Sequence, residues 1–128
     1  MSAAWKFTDR SEHRHTAQAA ACCELPGKEG ARLKFAFWRH LDRFLHSVEL
    51  CSHDTQISLF RSHEGDPIEA WPPSPPLQQL SRAELPGGDS ALLLIGMAGN
   101  THWSLSVAVD SQQQELVFDV ACRAVLRP

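Results

Sequence analysis

Polar side chains that could do chemistry gather in two stretches near the C-terminus of this chain of 128 residues. The stretches are THWSLSVAVD at 101–110 and LVFDVACR at 116–123. Their candidate site residues, called here the polar hairpin face, are His102, Ser104, Ser106, Asp119 and Arg123. A serine activated by a histidine, with a carboxylate to orient that histidine, can attack an acyl group. The residue types therefore raise a hydrolase hypothesis, and the simpler interpretation is the solvated face of a sheet.

An antiparallel hairpin is the element that must position these residues. Both stretches alternate apolar and polar side chains, which is typical of half-buried strands. Closing the hairpin through SQQQ at 111–114 places His102 opposite Arg123 and Ser106 opposite Asp119. A slip of one residue would mix the two faces, so the pattern fixes this register. The residues predicted to share the apolar face are Trp103, Leu105, Val107, Val109, Leu116, Phe118, Val120 and Cys122.

The predicted register argues against catalysis. His102 and Asp119 fall two rungs apart on the same face, which is four residues along the strand. Neither is therefore the direct cross-strand partner of the other. No sharp strand-to-helix turn is present to expose a serine nucleophile. Cys122 is expected to be buried on the apolar face, where a thiol is a poor nucleophile. We therefore predict no catalytic residue. A solvated sheet face is the favoured interpretation of the polar hairpin face, and a surface for a ligand or partner is the candidate function that we keep.

The rest of the chain also has the pattern of β-structure. Short segments with period-two alternation recur, and turn sequences such as HEGDP and PGGD separate them. The predicted strand segments are 4–8, 15–25, 32–38, 44–50, 55–60, 77–84, 90–98, 101–110 and 115–123. This pattern predicts a single mainly β domain over residues 1–128, an antiparallel sandwich or barrel of about eight to ten short strands.

One segment fits a helix as well as strands. Apolar residues recur there at helical spacing, namely Phe37, Leu41, Phe44, Leu45 and Val48. No N-cap residue precedes the segment, and no glycine or proline closes it. A hairpin with its turn near RHLDR also explains the alternation at 32–38. We favour the hairpin and keep one helix near 37–48 as the alternative.

The stretch WPPSPPLQQL at 71–80 has the most unusual composition of the chain. Its prolines impose an extended conformation and remove backbone donors, so it cannot form a central strand. It is predicted to cross between sheets, anchored by its own apolar residues. The alternative is an exposed peptide for a partner protein, with Trp71, Pro72 and Pro75 as candidate contacts at PxxP spacing.

Composition limits the classes of function. The chain is 43% hydrophobic and 21% charged, with a formal net charge of -3, as in an ordinary soluble globular protein. No apolar run is long enough to cross a membrane, and the N-terminus lacks the pattern of a secretory signal. Four cysteines are too few for a disulfide scaffold, and two of them are adjacent. These features predict a cytoplasmic protein with no membrane partner.

Metal and nucleic-acid sites are weakly indicated. HRH at 13–15 and CSH at 51–53 offer paired ligands, but no CxxC or HxxxH spacing occurs, so we predict no metal and no cofactor. Basic residues between 28 and 43 include Arg32 and Lys34, which share a predicted strand face with Trp38. That arrangement could bind a single strand. Neighbouring acids and the net negative charge favour a solvated face, so a nucleic-acid partner is not expected.

Three stretches together, WPPSPPLQQL, LIGMAGNTHWSLSV and LVFDVACR, resemble a group of uncharacterised bacterial proteins, and DRFLHSVEL is also similar. The resemblance covers the second half of the chain and part of the first. It supports the hairpin at 32–51 and implies no activity, cofactor or catalytic residue. The sequence thus predicts a non-enzymatic binding or interaction module, with an unidentified partner that is a protein on this hypothesis. A small hydrolase-like or metal-dependent enzyme that uses His102 and Asp119 is the alternative.

Overall fold

The computed structural model describes residues 19–125, whose regular structure is almost entirely β-strand. The strands are β1 (Ala21–Pro26), β2 (Arg32–His40), β3 (Arg43–Cys51), β4 (Gln56–Arg61), β5 (Gln79–Glu84), β6 (Ser90–Ala98), β7 (Thr101–Asp110) and β8 (Glu115–Ala124). A three-residue 3-10 turn, Lys28–Gly30, joins β1 to β2. The predicted strand at 4–8 and the histidines of HRH lie outside the described residues.

Two antiparallel sheets divide the strands in chain order. Sheet A contains β1 to β4 and sheet B contains β5 to β8. Within each sheet, every strand pairs with the next one along the chain. The prediction of a mainly β fold is confirmed. The sheets form a sandwich-like arrangement, and within residues 19–125 neither closes into a barrel. Within residues 19–125, no helix has the length and apolar character needed to cross a membrane.

The helix alternative near 37–48 is wrong, because this segment forms the β2–β3 hairpin. The strands pair from Arg32 opposite Cys51 to His40 opposite Arg43, with a two-residue turn between them. Leu41 lies in that turn with φ of 55° and is exposed, so it does not join an apolar stripe. The helical spacing of the apolar residues is therefore coincidental, and the alternation that begins at Leu33 governs the local structure.

The hydrophobic core lies between the inner faces of the two sheets. Its main buried residues are Ala21, Cys23, Phe35, Phe37, Phe44, Val48, Leu77, Leu92, Leu94, Leu105 and Val107. The rings of Phe35 and Phe37 stack with centroids 5.0 Å apart. These side chains alternate along their strands, which is the pattern expected where each sheet buries one face.

The stretch WPPSPPLQQL at 71–80, called here the proline segment, crosses from sheet A to sheet B and is anchored at its end. Pro76 and Leu77 are fully buried. The carbonyl oxygen of Leu77 accepts a hydrogen bond of 2.7 Å from the Phe44 backbone amide, and Gln78 N donates to Ile95 O at 2.7 Å. The end of the crossover is thus bonded to both sheets, as the crossover prediction requires.

Glycine is required on β6 where this crossover passes. A Cβ atom built on Gly96 would lie 1.5 Å from the carbonyl oxygen of Pro76.

Within the PxxP motif, Pro72 is buried and Pro75 is half-buried. Trp71 is 62% exposed and makes an edge-to-face contact with Trp103, at a centroid distance of 6.5 Å. The candidate peptide segment is therefore only partly accessible, and partner binding through it stays a prediction.

Candidate functional site

The predicted C-terminal hairpin is confirmed in strand positions and in register. His102 pairs with Arg123, and Ser106 pairs with Asp119. Alternation along β7 and β8 therefore brings the polar hairpin face together on the outer side of sheet B. The histidine, aspartate and arginine are exposed, and the two serines are half-buried.

The hairpin places these residues on one face but keeps the key pairs apart. Asp119 lies four residues from Arg123, the partner of His102, which is roughly 13 Å along the strand. The same spacing separates the charges of Asp119 and Arg123, and neither forms an ion pair with any residue in 19–125. A histidine at this distance from the carboxylate cannot be oriented by it. The described residues of this face therefore form no Ser-His-Asp triad.

A shallow, open depression of about 400 Å³ lies on the outer side of sheet B. Side chains of all four strands line it, among them Gln79, Ile95, Met97, His102, Ser104 and Arg123. Ser106 and Asp119 do not line it. The depression therefore contains three of the five residues of the polar hairpin face, together with residues that the sequence analysis did not single out.

The residues that were missed form an apolar stripe on the outer side of β6. Leu93, Ile95 and Met97 are 41%, 52% and 50% exposed. The run ALLLIGMA contains no polar residue to mark an outer face, so it reads as a fully buried strand. The period of two within the run was the available signal, because alternate residues of a strand that is covered on one side must point outward.

Register places this apolar stripe directly beside polar groups. Ile95 pairs with Ser104, and Met97 pairs with His102, which in turn pairs with Arg123. An apolar floor thus adjoins a hydroxyl, an imidazole and a guanidinium. The guanidinium has no ionic partner within the described range, so its donors are available to an external acceptor. This combination can hold a ligand that has an apolar body and a carboxylate.

The expectation that Cys122 is buried is wrong. Its backbone position on the apolar side is as predicted, opposite Trp103, but the residue is exposed. The reason is that β8 is the edge strand of sheet B among residues 19–125, where no other strand lies beyond it. The buried thiol of this region is Cys23 instead, and burial raises its pKa. Its Sγ points to the Val107 carbonyl oxygen at 3.8 Å.

The CSH pair does not form part of a metal centre within the described range. Cys51 is buried at the end of β3, whereas His53 is exposed in the following turn. No group of three or more potential ligands occurs among residues 19–125.

Basic residues of sheet A are used for contacts within the chain. Arg43 is buried, and its Nε donates to Asp42 Oδ1 at 2.9 Å, which holds the pKa of that carboxyl below its usual range. Arg39 donates to the Gln78 carbonyl oxygen and lies over the ring of Phe44. Arg43 also donates from Nη2 to the Pro67 carbonyl oxygen at 3.3 Å, so both guanidinium groups join the β2–β3 hairpin to its surroundings.

No family model, curated protein or solved structure matches this chain. The resemblance to uncharacterised bacterial proteins therefore stays a prediction.

Proposed function

We propose that this protein is a non-enzymatic binding module that holds a peptide segment of a partner protein on the outer face of sheet B. The segment presents an apolar side chain to Ile95 and Met97, and a carboxylate to Arg123 and His102. The observation that carries the proposal is the depression itself, where a half-exposed apolar stripe borders an arginine without an ionic partner in the described chain.

The exposed apolar stripe supports binding because soluble proteins seldom expose contiguous apolar surface without a use for it. The depression is open rather than enclosed, which suits a peptide lying across the strands better than a small molecule. Arg123 suits carboxylate recognition because a guanidinium donates two parallel hydrogen bonds to the two oxygens. The enzyme alternative has no such support, since no histidine–carboxylate pair adjoins the serines among residues 19–125.

A reducing, cytoplasmic setting belongs to the same proposal. All four cysteines are free thiols, including the exposed Cys122. An exposed thiol is better preserved in a reducing compartment than in an oxidising one.

Nuclear magnetic resonance with short peptides tests the proposed site. The probe is a set of tripeptides that end in a free carboxylate after an aromatic or aliphatic residue, compared with the same peptides amidated. We expect the free acids to shift the amide signals of His102, Ser104 and Arg123, and the amidated forms to bind at least about tenfold more weakly, as loss of a charge-assisted contact implies.

Two variants with a matched control make the test specific. Arg123→Gln should abolish the preference for the free acid, and Ile95→Thr should weaken both peptide forms. Leu59→Thr is the control, because Leu59 has the same 52% exposure as Ile95 but lies on β4 in the other sheet. Signal changes confined to other surfaces, or equal binding by all three variants, would refute the proposal.

A further inference from the structure

The edge strands of the two sheets are protected to very different degrees. Among the described strands, β1, β4 and β5 each have six residues and β8 has ten. Pro26 ends β1, β5 follows the proline segment, and a register shift interrupts the pairing of β4 with β3. Proline, short length and bulges are three of the devices that hinder edge-to-edge pairing, and charged side chains are another.

β8 has no proline, is long and has no bulge, and its charges are of both signs. It pairs with β7 over ten consecutive residues without a register shift. Its sequence ELVFDVACRA contains no proline, glycine or lysine. Apolar side chains on it are also uncovered, since Phe118 and Val120 are 44% and 46% exposed although they point to the inner side of the sheet. A long, regular, apolar edge is a template for another strand.

The charges on β8 indicate which strand can pair with this edge, namely β8 of a second copy of the chain. Asp119 and Arg123 both point to the outer face, four residues apart, and neither has an ionic partner within residues 19–125. In an antiparallel pair of identical strands, the residue opposite each position is set by the two-fold axis. An axis through Ala121 places Asp119 of each copy opposite Arg123 of the other copy. Both charges of each copy therefore gain a partner.

We propose that the protein forms a two-fold dimer in which β8 pairs antiparallel with β8 of a second copy, with the axis through Ala121. Sheet B then continues across the axis as one eight-stranded sheet. On its inner side, Val120 lies opposite Cys122 of the other copy and Phe118 lies opposite Ala124. Apolar residues thus meet apolar or small ones, and Asp119 of each copy meets Arg123 of the other.

Other registers are less favourable for physical reasons. An axis that falls between two residues would pair inward with outward side chains, which the pleat of a continuous sheet does not allow. An axis through Asp119 or Arg123 would place like charges directly opposite each other, which destabilises a strand pair. The ion pairs are exposed, so they serve to select the register, and the backbone hydrogen bonds and apolar contacts hold the strands together.

The dimer does not depend on the peptide-binding proposal, but it changes the geometry of that surface. Arg123 serves both contacts, because its guanidinium has five N–H donors and can pair with Asp119 of the second copy while its other donors bind a peptide carboxylate. Ala121 and Arg123 line the depression and also lie at or near the axis. The depressions of the two copies would therefore adjoin each other across the two-fold, as one trough.

Charge exchange across the axis provides the decisive experiment. Sedimentation equilibrium of the full chain should give a species of twice the 14.2 kDa chain mass. Asp119→Arg alone should raise the dimer dissociation constant by about tenfold or more, because each dimer then contains two like-charge pairs. The double variant Asp119→Arg/Arg123→Asp should restore dimerisation, since it recreates both ion pairs with reversed polarity.

A disulfide at the axis tests the register independently. Directly opposite residues have Cα atoms about 4.5–5.5 Å apart, which is within the range a disulfide spans. Ala121→Cys in a Cys122→Ser background should therefore form a covalent dimer on mild oxidation. The control is Ala83→Cys in the same background, because Ala83 lies on β5 at the far edge of sheet B and should not cross-link.

The results decide between this dimer and its alternatives. A chain that stays monomeric at high micromolar concentration would overturn the proposal. So would a dimer that Asp119→Arg does not weaken, that the double variant does not restore, or that Ala121→Cys fails to cross-link. Circular dichroism spectra that match the wild type ensure that each variant is folded, as expected because Asp119, Ala121 and Arg123 are all exposed.

Discussion

A buried histidine in the core should make this protein less stable as the pH falls. His46 is only 9% exposed and lies beside Phe35 and Phe37, with ring centroids 6.0 and 5.9 Å from its own. Its Nδ1 atom has no hydrogen-bond partner in the part of the chain that the structure describes. Burial lowers the pKa of His46, because the charged imidazolium would lose its hydration without gaining a counter-charge.

The sign of the effect follows from which state takes up the proton. Above a pH of about 6.5, the ordinary histidine value, the side chain is neutral in both the folded and the unfolded chain. Below it, the unfolded chain binds a proton that the folded core excludes. The contribution of His46 to the free energy of unfolding therefore falls by up to about 1.4 kcal/mol per pH unit, until the pH reaches the lowered pKa of the folded state.

Urea unfolding between pH 5 and 8, followed by tryptophan fluorescence, measures this slope. His46→Phe replaces the imidazole with an apolar ring, so its free energy of unfolding should depend less on pH than that of the wild type. At pH 8 the variant should lie within about 1.5 kcal/mol of the wild type, as for a substitution that nearly conserves volume. His40→Gln removes an exposed imidazole and should keep the wild-type slope. Parallel pH profiles for the wild type and His46→Phe would refute the reasoning.

Three further outcomes are expected from the packing of the chain. At low protein concentration and neutral pH, Cys122 should react with a thiol reagent at least tenfold faster than Cys23. The reason is that burial limits access to the Cys23 thiol and raises its pKa. Mass spectrometry of the labelled peptides measures the two rates. Gly96→Ala should destabilise the fold by more than about 3 kcal/mol in urea unfolding, because the added methyl group would overlap the backbone of Pro76. Leu77→Ala should cost about 2–5 kcal/mol in the same assay, since Leu77 is fully buried between the sheets; a loss below 1 kcal/mol would contradict its anchoring role.

Alternation of side chains was sufficient to predict most of the strands. The hairpin of β7 and β8 has the predicted register because polar and apolar residues separate cleanly along both strands. The same logic decided the β2–β3 hairpin, where Phe35 and Phe37 continue a period of two into the turn. Helical spacing in that segment arose because the two-residue turn happens to contain Leu41, which is an exposed apolar residue.

Position within the sheet could not be read from alternation. A strand pattern gives the face of each residue but not the order of strands, so nothing in LVFDVACR indicates that β8 lies at an edge. Cys122 was expected to be buried for this reason, although it is exposed. The apolar outer side of β6 was missed for the opposite reason, since a continuous apolar run gives no indication of which alternate residues remain uncovered.

The exposed apolar side chains of β8 and β6 have different physical origins. Because β8 is the last strand of sheet B, Phe118 reaches only the outer part of the core, where it contacts Phe35 and Phe60 and stays nearly half exposed. An antiparallel partner strand would satisfy the backbone groups along this edge and would bring a second depression beside the first. The apolar stripe on β6 would stay uncovered in that dimer, since it lies two strands inside the edge. The proposed self-association therefore accounts for the apolar edge but not for the apolar face, which is where we propose that a peptide binds.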